Sequence, residues 1–140
     1  MPPKPPIDVR VRINFGPGRA LGPGKIELLE HIAGGGSLAW AAAELDMSYR
    51  RAWALIEELE RAFGEPVAVR TKGGLTGGGA ELTAFARRLI AAYRAVEAEA
   101  TAAAAREFAP IERAGGRARS PRSRQVKKVR RGRRPARSRR

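Results

Sequence analysis

Residues 37–53, Ser37-Leu38-Ala39-Trp40-Ala41-Ala42-Ala43-Glu44-Leu45-Asp46-Met47-Ser48-Tyr49-Arg50-Arg51-Ala52-Trp53, decide the fold of this chain. They read as two short helices joined by a tight turn, the second opening with two arginines. Ser37 caps the first helix and Ser48 the second, because a serine oxygen accepts from the amide groups left unpaired at a helix start. Leu38, Ala42 and Leu45 follow at i, i+4 and i+7, which puts them on one face. Ala42 carries only a methyl group, so a second helix can approach closely there. This is the plan of a helix-turn-helix, whose second helix sets its first turn against base edges in the DNA major groove.

The flanking sequence extends the plan in both directions. Val9, Val11, Ile13 and Phe15 alternate with polar residues, the period of a half-buried strand, which Gly16-Pro17-Gly18 ends. Gly22-Pro23 opens a helix with proline at its first position, where the missing N–H costs nothing. Ile26, Leu29 and Ile32 or Ala33 form its apolar stripe, and Gly34-Gly35-Gly36 stops it. Beyond Trp53 the second helix of the motif continues with Ala52, Leu55, Ile56, Leu59 and Phe63 on its buried face, and Arg50, Ala54, Glu57 and Arg61 opposite. Glu57, Glu58 and Glu60 would repel phosphates, so only the first turn or two, around Tyr49, Arg50 and Trp53, is expected to enter the groove. For Trp53, at the edge of the buried face, core packing and groove lining both stand.

Val67 to Arg70 is expected to be a short strand, Thr71 to Gly79 a glycine-rich loop, and Ala80 to Leu82 the returning strand. A hairpin placed after a recognition helix is a wing. Thr83 then caps a long helix from about Ala84 to about Phe108, with Phe85, Leu89, Ala92 or Tyr93, and Val96 at helical spacing. At 1.5 Å per residue it spans about 35–40 Å, more than a small globule needs, and part of it is expected to pack against a second chain. Pro110 and Gly115-Gly116 mark its boundary. The expected fold is mainly α with a small β wing. Residues 1–7 form a disordered N-terminus, 8–82 the winged helix-turn-helix, 83–109 a dimerisation helix and 110–140 a disordered arginine-rich tail.

Charge is distributed unevenly. Residues 1–112 hold 14 Lys+Arg and 14 Asp+Glu, whereas residues 113–140 hold 14 Lys+Arg and no acid, so the net +14 resides in the tail. A neutral globule with a polycationic tail is a polyanion binder. Arg122, Arg124, Lys127, Lys128, Arg130, Arg131, Arg133 and Arg134 are the expected non-specific phosphate contacts. The tail has no apolar face to insert in a bilayer, and no apolar run approaches membrane-span length. There is no cysteine, which removes disulfides, thiolate metal sites and a cysteine nucleophile. The N-terminus lacks the apolar region of a signal peptide. A cytoplasmic, nucleoid-associated protein is expected.

No catalytic set is visible, and the chain reads as a non-enzyme without cofactor or metal. His31, the single histidine, has no second ligand near it in sequence and reads as structural. The glycine-rich loop lacks the Gly-Lys-Ser/Thr ending of a phosphate-cradling P-loop and reads as a wing tip. The alternatives to a sequence-specific regulator are an architectural DNA binder, suited to the basic tail, and an RNA-binding or assembly protein acting through it.

Four stretches carry a family resemblance: Leu21-Gly22-Pro23-Gly24-Lys25-Ile26 with Leu28-Leu29-Glu30; Gly36-Ser37; Met47-Ser48-Tyr49-Arg50-Arg51-Ala52-Trp53; and Gly77-Gly78-Gly79-Ala80 with Leu82-Thr83. Together they make residues 7 to about 100 resemble the N-terminal domain of the molybdate-responsive ModE-type transcription regulators, a domain similar to the winged helix-turn-helix of LysR-type regulators. The resemblance implies a dimer on double-stranded DNA. It places Ser48, Tyr49, Arg50 and Arg51 at the start of the recognition helix and the wing tip at Gly73 to Gly79. Lys72, Gly73, Gly74, Thr76 and Gly77 are the implied wing contacts. Family wings often carry a lysine among the glycines, where this chain has Leu75-Thr76. Full-length family members continue into molybdate-binding domains, for which residues 113–140 offer no room, so the resemblance implies the DNA-binding half and no molybdate site here.

Overall fold

The computed structural model describes residues 7–71 and 79–115. Its elements run β1 (Ile13–Gly16), β2 (Arg19–Leu21), α1 (Pro23–Gly35), α2 (Leu38–Glu44), α3 (Tyr49–Phe63), β3 (Ala68–Thr71), β4 (Gly79–Leu82) and α4 (Ala84–Gly115). The chain divides at Ala103/Ala104, so α4 contributes to both units. In the first unit, α1, α2 and α3 pack on one another around Ile26, Leu28, Leu29, Ile32, Leu38, Ile56 and Leu59, all buried. Ala41 and Ala42 of α2 and Ala52 of α3 are buried in the same core, and α2 packs on α3. The fold is mainly helical with a small β wing, as the periodicities implied.

Both serine caps form as expected. Ser37 accepts from the Trp40 amide and Ser48 from the Arg51 amide, each at 3.0 Å. The stripe expected on α1 is wider than its spacing suggested. Leu28 is buried as well, and Ala33 is exposed. This helix is covered by α2, α3 and β4, so a single-face stripe understates its burial. Gly36 ends α1 at φ 68, a left-handed conformation that costs an L side chain energy but not glycine.

The N-terminal strand differs from its expectation. Residues 7–14 alternate half-buried and exposed as the period of two requires, but pairing begins only at Ile13. An unforeseen β2 completes an antiparallel hairpin in which Ile13 faces Leu21 and Gly16 faces Arg19. The register shifts between Asn14 and Gly16, and Phe15 lies 42% exposed instead of buried. Its ring meets Phe63 edge-on at 5.1 Å between centroids.

Strands β3 and β4 pair antiparallel from Ala68 opposite Leu82 to Thr71 opposite Gly79. The Glu60 carboxylate accepts the Val67 amide at 2.8 Å, fixing the entry to the hairpin. The Thr83 hydroxyl donates to the Pro66 carbonyl at 2.7 Å and accepts the Ala86 amide at 3.1 Å, so it closes the exit and caps α4. The expected wing-tip contacts Lys72, Gly73, Gly74, Thr76 and Gly77 lie outside the described residues, as do residues 1–6 and every tail cation from Arg117 to Arg140.

The long helix does not stop at the boundary drawn at Pro110. It runs through Pro110 to Gly115. Proline removes one backbone donor there, but the residues around it, Glu107, Ala109, Glu112, Arg113 and Ala114, are mostly good helix formers. In the second unit, the described residues Ala104–Gly115 are the last turns of α4, with Phe108 and Ile111 exposed. In the first unit, α4 buries Ala86 and Tyr93. Arg94 forks onto the Glu30 carboxylate of α1, its Nε 3.0 Å from Oε2, and reaches Glu97 at 2.5 Å.

Tyr93 is 1% exposed, and its hydroxyl donates to the Val11 carbonyl at 2.7 Å, pinning the N-terminal segment to α4. Burial first, and then the nearby Glu97 carboxylate, push the phenol above its ordinary value of 10.0. The neutral phenol is therefore favoured in the folded state. Its contribution to stability is complete below that ordinary value and is lost as the pH rises through it toward the folded value. Tyr93→Phe should cost about 1 kcal/mol at neutral pH through the lost hydrogen bond. Denaturant titrations of both proteins from pH 8 upward should show the gap closing at alkaline pH; a constant gap would mean that the buried phenol is not the titrating group.

Candidate nucleic-acid interface

The candidate interface is built on the first turns of α3. Ser48 stops the preceding turn and points α3 outward, while Ala52, Leu55, Ile56, Leu59 and Ala62 anchor the opposite face in the core. Between α2 and α3, Asp46 takes φ 55, a left-handed conformation that costs an ordinary L residue about 1–2 kcal/mol and that aspartate tolerates better than most. The Met47 amide reaches back to the Ala42 carbonyl at 2.9 Å. These contacts fix the angle between the two helices, which is what a reading helix requires.

At 100° per residue, three consecutive positions of α3 face three ways. Tyr49 and Trp53, four apart, turn toward the wing and line a cleft of about 50 Å³ with Leu38, Arg70, Thr71, Gly79 and Ala80. Arg51, Leu55 and Glu58 turn the other way, toward the β1–β2 hairpin and the start of α1. Arg50 lies between, on the exposed stripe that continues through Glu57 and Arg61. Arg50 and Arg51 are both exposed, and among the described residues neither guanidinium has a carboxylate partner. Of the acids behind them, Glu58 is held by Lys25 at 3.3 Å and Glu60 by the Val67 amide. Glu57 stays exposed and limits how deep the helix can go.

Of the two roles weighed for Trp53, core packing is seen. Its ring also forms the floor of the wing cleft. The Arg70 guanidinium lies over that ring, 4.3 Å from the centroid, and Tyr49 meets it edge-on at 6.3 Å. Arg70 thereby links β3 to the recognition helix through a cation–π contact, a role that sequence reasoning missed. Its signal was the exposed basic position at the end of the first wing strand. The Trp53 Nε1–H is buried without an acceptor among the described residues.

The base of the wing is fastened to the start of α2. The Ala80 amide donates to the Gly36 carbonyl at 2.9 Å, and Gly79 bridges to Ser37. A Cβ at Gly79 would run into the Thr71 hydroxyl, so a larger residue there would require that side chain to move. His31 plays its expected structural part. Its Nδ1–H donates to the Glu27 carbonyl at 2.7 Å, and its ring lies tilted against Trp40 at 5.8 Å. Among the described residues, no group of three His, Cys, Asp or Glu is placed to hold a metal ion, and no helix is long and apolar enough to cross a membrane.

A capped outward helix, a packed helix before it and a hairpin fastened beside it define a winged helix-turn-helix domain. Residues 24–87 match the family described as bacterial regulatory helix-turn-helix protein, lysR family. The chain is 41% identical over 90 residues to the molybdenum transport protein ModE of Azotobacter vinelandii, covering 64% of this chain and 33% of that protein. It is 40% identical over 81 residues to the molybdenum-pterin-binding protein MopB of Rhodobacter capsulatus, covering 58% and 30%. With the DNA-binding transcriptional dual regulator ModE of Escherichia coli strain K12 it shares 41% over 71 residues, covering 51% and 27%. The chain thus spans about a third of the length of the curated relatives it matches. The helix-turn-helix domain is ModE-like, as the quoted motifs implied.

Proposed function

We propose that this chain is a sequence-specific, DNA-binding transcription regulator that acts as a homodimer in the cytoplasm. The carrying observation is the first turn of α3: Arg50 and Arg51 are exposed at a capped helix start, with no carboxylate partner among the described residues. An arginine fork can bond guanine O6 and N7 together, which carries sequence information. Ser48, Tyr49, Arg50, Arg51 and Trp53 form the reading edge in this proposal, with the wing residues Lys72 to Gly77 and the tail cations on phosphates. The similarity to a DNA-binding regulator supports the reading. The tail's charge also suits an architectural protein, and the tests below separate the two.

Arg50 lies on the exposed stripe midway between the wing side and the hairpin side. Arg50→Ala should cost about 1–3 kcal/mol on the specific site and much less on random duplex, measured by fluorescence anisotropy. Equal losses on both would favour the architectural reading. RNA that competes as well as the specific duplex would favour a third, an RNA-binding role.

The dimer reading rests on α4, which leaves Val96 43% exposed in the first unit. Because Val96 is not part of the domain's own core, Val96→Glu should turn a sedimenting dimer into a monomer without loss of helical circular dichroism. A wild-type monomer that binds a single half-site would refute the dimer.

The tail carries the whole net charge of +14. Each phosphate neutralised contributes about −0.9 to the slope of log affinity against log salt. With a third to a half of the tail's cations engaged, removal of residues 116–140 should flatten that slope by roughly 4–6 and leave the preference for the specific site intact. An unchanged slope would assign the tail to another partner.

A further inference from the structure

We infer that the cleft between the β1–β2 hairpin, the start of α1 and α3 seats phosphates of the DNA strand bordering the major groove on the side away from the wing. The inference rests on the DNA-binding reading and adds a third contact to the helix and the wing. The cleft has a volume of about 630 Å³ and is lined by four cations, Arg12, Arg19, Lys25 and Arg51, against one carboxylate, Glu58. Lys25 already neutralises Glu58 at 3.3 Å. Arg19 is fixed by the Ala62 carbonyl at 2.5 Å and the Phe15 carbonyl at 3.3 Å. Arg12 spends its Nε on Asn14 at 3.2 Å and leaves both terminal nitrogens without an acceptor among the described residues. Arg51 has no polar side-chain partner among them either.

Geometry assigns the partner. Tyr49 and Arg51 differ by 200° around α3, so the cleft on Arg51 and the wing cleft on Tyr49 flank the helix on opposite sides, with Arg50 between them. A helix seated in a major groove about 12 Å wide has a phosphate wall on each side. The wing side meets one wall; the cationic cleft is in place for the other. A cavity of this size is far larger than one free oxyanion and suits a stretch of sugar–phosphate delivered in register by the docked helix. Gly22, which caps α1 without a side-chain hydrogen bond, leaves the first amides of that helix at the same opening.

Arg12→Gln tests the inference with little risk to folding, because Arg12 is exposed and its recorded side-chain bond is to exposed Asn14. Loss of one phosphate contact should flatten the salt slope by about 0.9 and weaken binding about five-fold near 0.15 M salt, equally on specific and random duplex. Asn14→Ala, which removes the bond but keeps the charge, should leave the slope unchanged. A DNA-binding Arg12→Gln protein with the wild-type slope overturns this inference and leaves the regulator reading standing. A wild-type protein that binds no duplex overturns both. A saturable response of the Arg12 Nε–H signal to inorganic phosphate in the absence of DNA would make the cleft a small-anion site and also overturn the inference.

Discussion

The contact of α2 with α3 governs the rest of the domain. Ala41 and Ala42 of α2 and Ala52 of α3 are each at most 2% exposed, and the two helices pack on one another. A larger residue at any of the three would overpack the core that these helices share. Overpacking of this kind commonly costs about 1–3 kcal/mol. The turn between the helices leaves no slack, since Asp46 already occupies the left-handed region and the Met47 amide is tied to Ala42.

The same helix organises both of its flanks. On one side Trp53 carries Arg70 and so draws β3 against α3, while Ala80 and Gly79 fasten the other wing strand to the start of α2. On the other side Phe63 receives Phe15 edge-on and lies 5.8 Å from the Arg19 guanidinium, which brings the N-terminal hairpin alongside. The hairpin is anchored a second time where Tyr93 holds Val11. One amphipathic helix therefore positions the wing, the hairpin and the reading edge together, and disturbance of its buried face would reach all three.

The helix-turn-helix was legible because its signals are local. Ser37 and Ser48 each bond an amide three residues on, and the apolar spacing between them depends on that stretch alone. Strand β2 was not legible, for it is three residues long and buries one side chain, Leu21, so no alternation can announce it. Phe15 was misplaced because the register shift beside it is set by the pairing partner, not by its own spacing. The contact of Trp53 with Arg70 was not legible, since Arg70 lies seventeen residues away and on another element. The cationic cleft was hidden for the same reason. It takes Arg12, Arg19, Lys25 and Arg51 from four separate stretches, each unremarkable in its own context.

The electrostatics of the domain follow from arrangement rather than from net charge. Residues 1–112 balance to zero, which taken as a sum predicts no attraction for a polyanion. The fold sorts those charges. Glu30 and Glu97 are gathered around Arg94, Glu58 is held by Lys25, and Glu60 is turned onto a backbone amide. These carboxylates are spent on internal partners, whereas Arg12, Arg50 and Arg51 are left with donors facing solvent. At physiological salt the screening length is about 8 Å, so an approaching phosphate feels the arginines beside it, which have no carboxylate partner among the described residues, far more than the compensated acids behind them. A neutral domain can in this way present a cationic edge along its reading helix. In the proposed function, the tail's part is to raise the affinity for any duplex, and the choice among sequences falls to the first turn of α3.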